Sequence, residues 1–256
     1  FWDRADFSAD PLSPEAILIL MNGPLTGVKL SGVSRMNATA RSPLTGGIAE
    51  SSCGGHFPPA LRLAGFDGLI LSGRAKSPSV LLIENESVSV RDAGNLWGMG
   101  VLECTRELKK TYGKKSTSLV IGPAGENGVP FACILNEAHH AFGRCGMGAV
   151  MGAKNLKALV VQSGAGTLSL ADPDRIKSLA RELNPRIKDY LISQVLHDYG
   201  TSGNLEGHMY DGDVPMRNWT SSYDEEMASA LTGSTLSETY LKKTATCAYC
   251  AVACKR

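Results

Sequence analysis

"AILILMNGPLTG" (Ala16–Gly27) carries the pattern on which the fold is read. Ala16–Met21 is an apolar run too short for an amphipathic helix and of the right length for a buried strand. "NGPLTG" then stops it with turn-forming residues. An apolar run closed by glycine recurs in "DGLILSG" (Asp67–Gly73), "STSLVIG" (Ser116–Gly122) and "KALVVQSG" (Lys157–Gly164). "VLLIENESVSVR" predicts a hairpin: Val80–Ile83, a turn at Asn85-Glu86, then Val88–Arg91 in alternation.

Helices are fewer in this part. "VLECTRELKKTYG" puts Val101, Cys104, Leu108 and Tyr112 on one face, with Gly113 as a stop. "HFPPALRLAG" predicts a short helix, with Pro58 and Pro59 in its first turn and Gly65 at its end. The character changes near Gly164. "SGAGTLSLADPDR" reads as a linker and a helix start, with Asp172 as cap and Pro173 at the first helical position. Ile176, Leu179 and Leu183 continue that helix, Asn184-Pro185 interrupts it, and Ile187, Leu191 and Val195 resume the period. The expected fold class is α+β: a sheet-rich domain over residues 1–165, then the start of an all-helical domain over 166–256.

Composition narrows the function. Of 256 residues, 43% are hydrophobic and 20% charged, which suits a globular chain with a real core. The net charge of +1, without any Lys/Arg block, argues against nucleic-acid binding. No apolar run approaches the roughly 20 residues that span a bilayer. "FWDRADFSADPLSPEA" lacks the basic and apolar regions of a signal peptide, and the chain starts without Met, as though cut into a longer one. Seven cysteines, odd in number and mostly scattered, argue for a reducing compartment, hence a cytoplasmic protein.

Glycine, 28 residues in all, clusters in "NGPLTG", "SPLTGG", "SSCGGHF", "IGPAGENG" and "GRCGMGAVMGAKN". Such loops are either tight turns or places where a ligand approaches backbone N–H groups. Gly146-x-Gly148 is followed by Gly152, one residue too late for the dinucleotide fingerprint, and "GAVMGAKN" lacks Walker A spacing. Gly54-Gly55 before a helix start favours an anion, as do Arg35 and Arg144 among the loops.

"CAYCAVACKR" ends the chain with Cys247, Cys250 and Cys254. C-x2-C-x3-C has four readings. A disulfide set conflicts with the odd number, a zinc site lacks a nearby fourth ligand, and a thioredoxin-like pair lacks its strand–helix setting. Iron–sulfur ligation is favoured, since three thiolates on one turn can each bind one corner iron of a cubane.

Several segments together resemble the aldehyde ferredoxin oxidoreductases, the tungsten pterin enzymes: "PLSPEAILILMNGPLTG", "RSPLTGGIAESSCGGHF", "LRLAGFDGLILSGRA", "VRDAGNLWG", "IGPAGENGVPFA", "HHAFGRCGMGAVMGAKNLKALVV" and the terminal cysteines, in that order over residues 11–256. The resemblance implies aldehyde oxidation to a carboxylate at tungsten held by two pyranopterins (tungstopterin), with a 4Fe-4S cluster passing electrons to ferredoxin or another one-electron carrier. It implies that Arg35 lies between pterin and cluster. Backbone carbonyls of Ser52 and Ala141 would bind a magnesium bridging the pterin phosphates. Gly54, His140, Gly143 and Arg144 match pterin-contacting positions, and Cys247, Cys250 and Cys254 match three cluster ligands. His140 stands where the family commonly has Arg, which weakens a phosphate contact or makes it pH-dependent. Cys53 and Cys145 replace small residues. His56, His139, His197 and His208 are expected to be structural or surface residues.

The resemblance also implies that the first strands, the fourth cluster cysteine and the substrate pocket lie outside residues 1–256, so this stretch alone is expected to be inactive. The implied substrate is a small aldehyde, with no nucleic-acid or membrane partner and a homodimer as the candidate assembly. The alternatives are a related tungsten enzyme acting on an aromatic thioester or a carboxylic acid, and a non-catalytic metal-binding module.

Overall fold

A computed structural model of the chain describes Asp6, residues 8–162 and residues 166–255. The chain divides into two compact units, Phe1–Ala171 and Asp172–Arg256. The expected boundary at 165 lies outside the described residues.

The first unit holds two sheets. One is antiparallel, built from β1 (Leu18–Asn22), β2 (Met36–Arg41), β3 (Ile48–Cys53) and β4 (Gly68–Leu71) in the order β3-β2-β1-β4. The other contains β5 (Ser79–Glu84), β6 (Ser87–Asp92), β7 (Thr117–Val120), β8 (Ile134–Asn136), β9 (His140–Phe142) and β10 (Leu156–Val161), ordered β6-β5-β10-β7-β8-β9. Among the described residues only the β10–β5 pairing of this sheet is parallel. The hairpin predicted at Val80–Arg91 is present. Its turn residues Asn85 and Glu86 take φ of 43° and 67°, the left-handed pair that a tight two-residue hairpin needs.

The main core packs Leu18, Leu20, Phe57, Leu61, Ile83, Leu119, Phe142, Met147 and Met151 together. Small residues make room for it: Ala38 and Ala40 of β2 lie opposite Leu20 and Leu18 of β1 and are wholly buried. The helices of this unit are α1 (Phe57–Leu63), α2 (Val101–Tyr112), α3 (Pro123–Glu126) and α4 (Met147–Ala153). Cys104 and Leu108 of α2 close a second core against Val80, Leu82, Val120 and Val160, with Val101 and Tyr112 packed at its edge. All of β10 is buried, because cores cover both faces of its sheet.

Three local readings of the sequence change. "MNATAR", "IAESSC" and "HAF", none of them read as a strand from the sequence, form β2, β3 and β9. Their short polar alternations carry little apolar signal, and cross-strand pairing decides them. Asn184-Pro185 does not interrupt the helix: α5 runs Pro173–Asp189 with Pro185 inside and ends at Tyr190, whose ψ is 126°. No residue of α5 is buried, so solvent can satisfy the carbonyl that proline leaves without a donor. Asp172 does cap α5, accepting from the Arg175 N–H at 2.8 Å.

Glycines in "GAVMGAKN" serve packing. A Cβ on Gly152 would overlap the backbone of Gly125, so α3 and α4 approach closely, and one on Gly148 would overlap the backbone of Cys133, just before β8. Beneath them Lys157, fully buried, pairs with Glu126 and donates to the Met99 carbonyl at 2.8 Å. Lys154 is also buried. Its Nζ donates to the carbonyls of Ala16 and Gly73, and burial, aided by nearby Arg74, pushes its pKa down to about 8.

The second unit adds α6 (Leu191–Tyr199), α7 (Leu205–Tyr210), α8 (Glu225–Leu231) and α9 (Gly233–Thr239). Met209, Met216 and Ala228 form a small core. Two isolated bridges, Met216↔Ser221 and Ala245↔Lys255, are the β-pairing found among its described residues. The α+β class is thus what the molecule shows. Among the described residues no helix is long and apolar enough to cross a membrane.

Candidate cofactor site and cysteine loop

β3 and β9 are edge strands of their respective sheets, and they lie against each other. Side chains stitch this seam at three points. Asn136 at the end of β8 donates its amide N–H to the Gly54 carbonyl at 2.7 Å. The Arg144 backbone N–H donates to Ser51 Oγ at 3.3 Å, and Ser42 Oγ donates to the Cys145 carbonyl at 2.9 Å.

The residues singled out in the first unit gather at this seam. Arg35 immediately precedes β2, and its Nε and Nη2 donate to Ser52 Oγ at 3.2 and 3.0 Å. Arg35, Ser52, Gly143 and Arg144 are exposed, Ala141 is half-buried, and Gly54 is buried. Strand alternation explains the split: Ser51 and Cys53 point into the core, and Ser52 points out beside Asn37, which donates to Glu50 at 3.2 Å. Ser52 and Ala141 stand on the two facing edge strands.

His140 is placed differently from a phosphate-facing side chain. It is 5% exposed and turns to the core with Phe142. Gly55, at φ +99°, sits so close that a Cβ there would be 3.1 Å from His140 Nδ1. His139 and His56 are exposed. The start of α1 offers fewer donors than its sequence promised, because Pro58 and Pro59 lack an N–H.

Asn136 is the residue that the sequence reading passed over. It is fully buried, and its Oδ1 has no hydrogen-bond partner among the described residues. Its signal was faint: one amide at the end of a three-residue strand.

The seam fits an anionic, planar group. Two guanidiniums stand at its rim, and a fork has five N–H donors, of which Arg35 spends two on Ser52. Gly143 presents no side chain, and a Cβ there would meet only Ala141 Cβ, at 3.8 Å. Backbone can therefore be approached closely.

In the second unit, Cys247, Cys250 and Cys254 lie on one loop, all half-buried. The Ala245↔Lys255 bridge closes its base. Inside it, the Cys250 N–H donates to the Cys247 carbonyl at 3.2 Å, and Thr246 Oγ1 donates to the Cys247 carbonyl at 3.0 Å. None of the seven cysteines is in a disulfide. Among the described residues no three His, Cys, Asp or Glu side chains converge on a single metal ion. The chemistry of the donor set, three thiols on one closed loop, fits a polynuclear cluster whose corners each take one thiolate.

Comparison with known proteins matches residues 1–163 to the family described as aldehyde ferredoxin oxidoreductase, N-terminal domain, and residues 178–256 to the same family's domains 2 and 3. The chain is similar to the tungsten-containing aldehyde ferredoxin oxidoreductase of Pyrococcus furiosus, 38% identical over 98% of this chain and 42% of the relative. It is 39% identical to the Pyrococcus abyssi protein of the same description over 98% of this chain and 41% of that one. Among solved structures it resembles the active-site complex BamBC of benzoyl coenzyme A reductase in complex with 1,5-dienoyl-CoA. That likeness has a TM-score of 0.83 at 29% identity and covers 99% of this chain and 40% of the other. The chain thus spans about two fifths of the length of these relatives.

Proposed function

The chain belongs to the aldehyde ferredoxin oxidoreductase family, and from that premise we propose that the whole protein oxidises an aldehyde to a carboxylate. In this reading residues 1–165 form the base that holds a tungsten bis-pyranopterin, and residues 166–256 begin the helical domain that carries cluster cysteines. The observation that supports it most is the seam between β3 and β9, where Arg35, Ser52, Gly54, Gly143 and Arg144 come together from distant parts of the sequence.

Bound at the seam, the tungsten dithiolene centre would supply two-electron oxygen-transfer chemistry. The chain's own residues bind and orient it. Arg35, braced on Ser52, offers its remaining donors to negative charge on the pterin edge. Arg144 supplies a second fork for a phosphate, and Gly54 and Gly143 let backbone approach. Backbone carbonyls of Ser52 and Ala141 would hold a magnesium ion. His140 acts from behind, packing against Gly55 and fixing the Gly54-Gly55 turn. Cys247, Cys250 and Cys254 would be thiolate ligands of a 4Fe-4S cluster, which would supply one-electron chemistry toward ferredoxin or a similar carrier. The odd number and scattered placement of the cysteines favour a reducing, cytoplasmic setting. A homodimer is the assembly proposed.

The test is aldehyde oxidation by the full-length protein, prepared without oxygen from cells supplied with tungstate, with ferredoxin as acceptor. Aldehyde-dependent ferredoxin reduction is expected, and its absence across aliphatic and aromatic aldehydes would overturn the assignment. The likeness to the benzoyl coenzyme A reductase complex favours a second reading, action on an aromatic thioester, to which the same preparation would respond with an aryl-CoA instead.

A further inference from the structure

The cysteine loop has little regular structure of its own. Between Ala245 and Lys255 it contains neither helix nor strand. Two non-glycine residues in it take left-handed backbone: Tyr249, just before Cys250, at φ 61°, and Ala253, just before Cys254, at φ 54°. Such conformations cost energy for residues with a Cβ and persist only where surrounding contacts impose them. The bridge at the base and the Cys250–Cys247 bond restrain the first half of the loop.

The second half has an anchor from far along the chain. His197 Nδ1 lies 2.7 Å from the carbonyl oxygen of Val252, between Cys250 and Cys254, across 55 residues of sequence. A carbonyl can only accept, so Nδ1 carries the proton in this bond. His197 is in the last turn of α6, which is itself tied down: Ser237 Oγ of α9 donates to the Asp198 carbonyl at 3.0 Å. Ala251 and Val252 also share a cavity of about 290 Å³ with Lys188, Gln194, His197 and Asp198. The loop segment that leads into Cys254 is thus tied to α6 by a short hydrogen bond.

We propose that His197 is a positioning residue for the iron–sulfur loop, its Nδ1–H holding the Val252 carbonyl so that the left-handed turn at Ala253 presents Cys254 to the cluster. The proposal rests on the cluster reading given above. It differs from a surface role in requiring the donor at Nδ1 and not the bulk of the ring. An Asn side chain places its amide N–H about where Nδ1–H stands, whereas Ala removes the donor.

The experiment uses the full-length protein, purified anaerobically, as the parent and as His197→Ala and His197→Asn. It reads iron per chain, the EPR spectrum of the reduced cluster and the rate at which a chelator strips the iron, with circular dichroism as a check on folding. Loss of an outer-sphere partner typically weakens a metal site on the order of 10-fold or more. His197→Ala should therefore lose iron about 10-fold faster with an altered EPR spectrum, and His197→Asn should restore both. Unchanged stripping and an unchanged spectrum in His197→Ala would overturn the proposal. So would equal damage in His197→Asn, which would assign the effect to ring packing. A parent protein without iron would overturn the cluster reading, and the proposal with it.

Discussion

Asn136 and Gly54, 82 residues apart, are joined by a buried 2.7 Å hydrogen bond from the Asn136 side-chain amide to the Gly54 carbonyl. That bond ties β8 of one sheet to the turn leaving β3 of the other, and the seam it closes is where the candidate cofactor residues meet. Asn136→Ala leaves the buried Gly54 carbonyl with only the weak Cys53 thiol donor, 3.3 Å away, which costs about 1–3 kcal/mol. Urea unfolding of the full-length protein should show a loss of that size, together with reduced pterin retention. Full retention with unchanged stability would mean that the seam does not depend on this bond.

Gly152 tests the close approach of α3 and α4. A Cβ there runs into the Gly125 backbone, which cannot move aside as a flexible side chain can. Gly152→Ala should destabilise by about 1–3 kcal/mol, the usual range for overpacking, despite alanine's better helix propensity. A stabilised variant in the same urea titration would contradict this packing.

How much of this was legible in sequence depends on the residue. The strands read from "AILILM", "LVI" and "ALVV" announced themselves because buried strands need continuous apolar runs. β2, β3 and β9 did not, since Asn37, Thr39 and Ser52 face outward and Ala38 and Ala40 are too small to signal a core. Arg35 and Arg144 stood out as guanidiniums among the glycine-rich loops, whereas Ser52 and the role of Gly143 were found only through motif resemblance. Asn136 was missed because its importance lies in a contact that only tertiary structure creates. His140 was named, but its core-facing side follows from the alternation of β9, a strand the sequence did not reveal.

Lys154 predicts a pH dependence. Its pKa is lowered from 10.5 to about 8 by burial. Between those values the unfolded chain binds more protons than the folded one, so stability should rise as pH rises from about 8 toward 10.5. The span is worth about 3 kcal/mol at one unit per 1.36 kcal/mol. Lys154→Met should show a flatter profile than the parent when denaturant midpoints are compared at both ends of the window. Parallel profiles would remove Lys154 as the cause.

Cysteine reactivity should sort by burial. Cys104 is fully buried and its thiol pKa is pushed up to about 11, chiefly by desolvation, so it stays protonated and protected at neutral pH. Alkylation of metal-free full-length protein followed by peptide mass spectrometry should label Cys250 and Cys254 well before Cys104. Early labelling of Cys104 would mean that α2 does not pack as described.

The most direct test of the central claim is the metal and pterin content of the full-length protein beside its Arg35→Met variant, both purified anaerobically. The account predicts tungsten or molybdenum at about one per chain with organic pterin and about four irons in the parent. It predicts that Arg35→Met loses heavy metal and pterin together while remaining folded. Zinc alone, or no heavy metal in the parent, would contradict it, as would an Arg35→Met protein that keeps both in full.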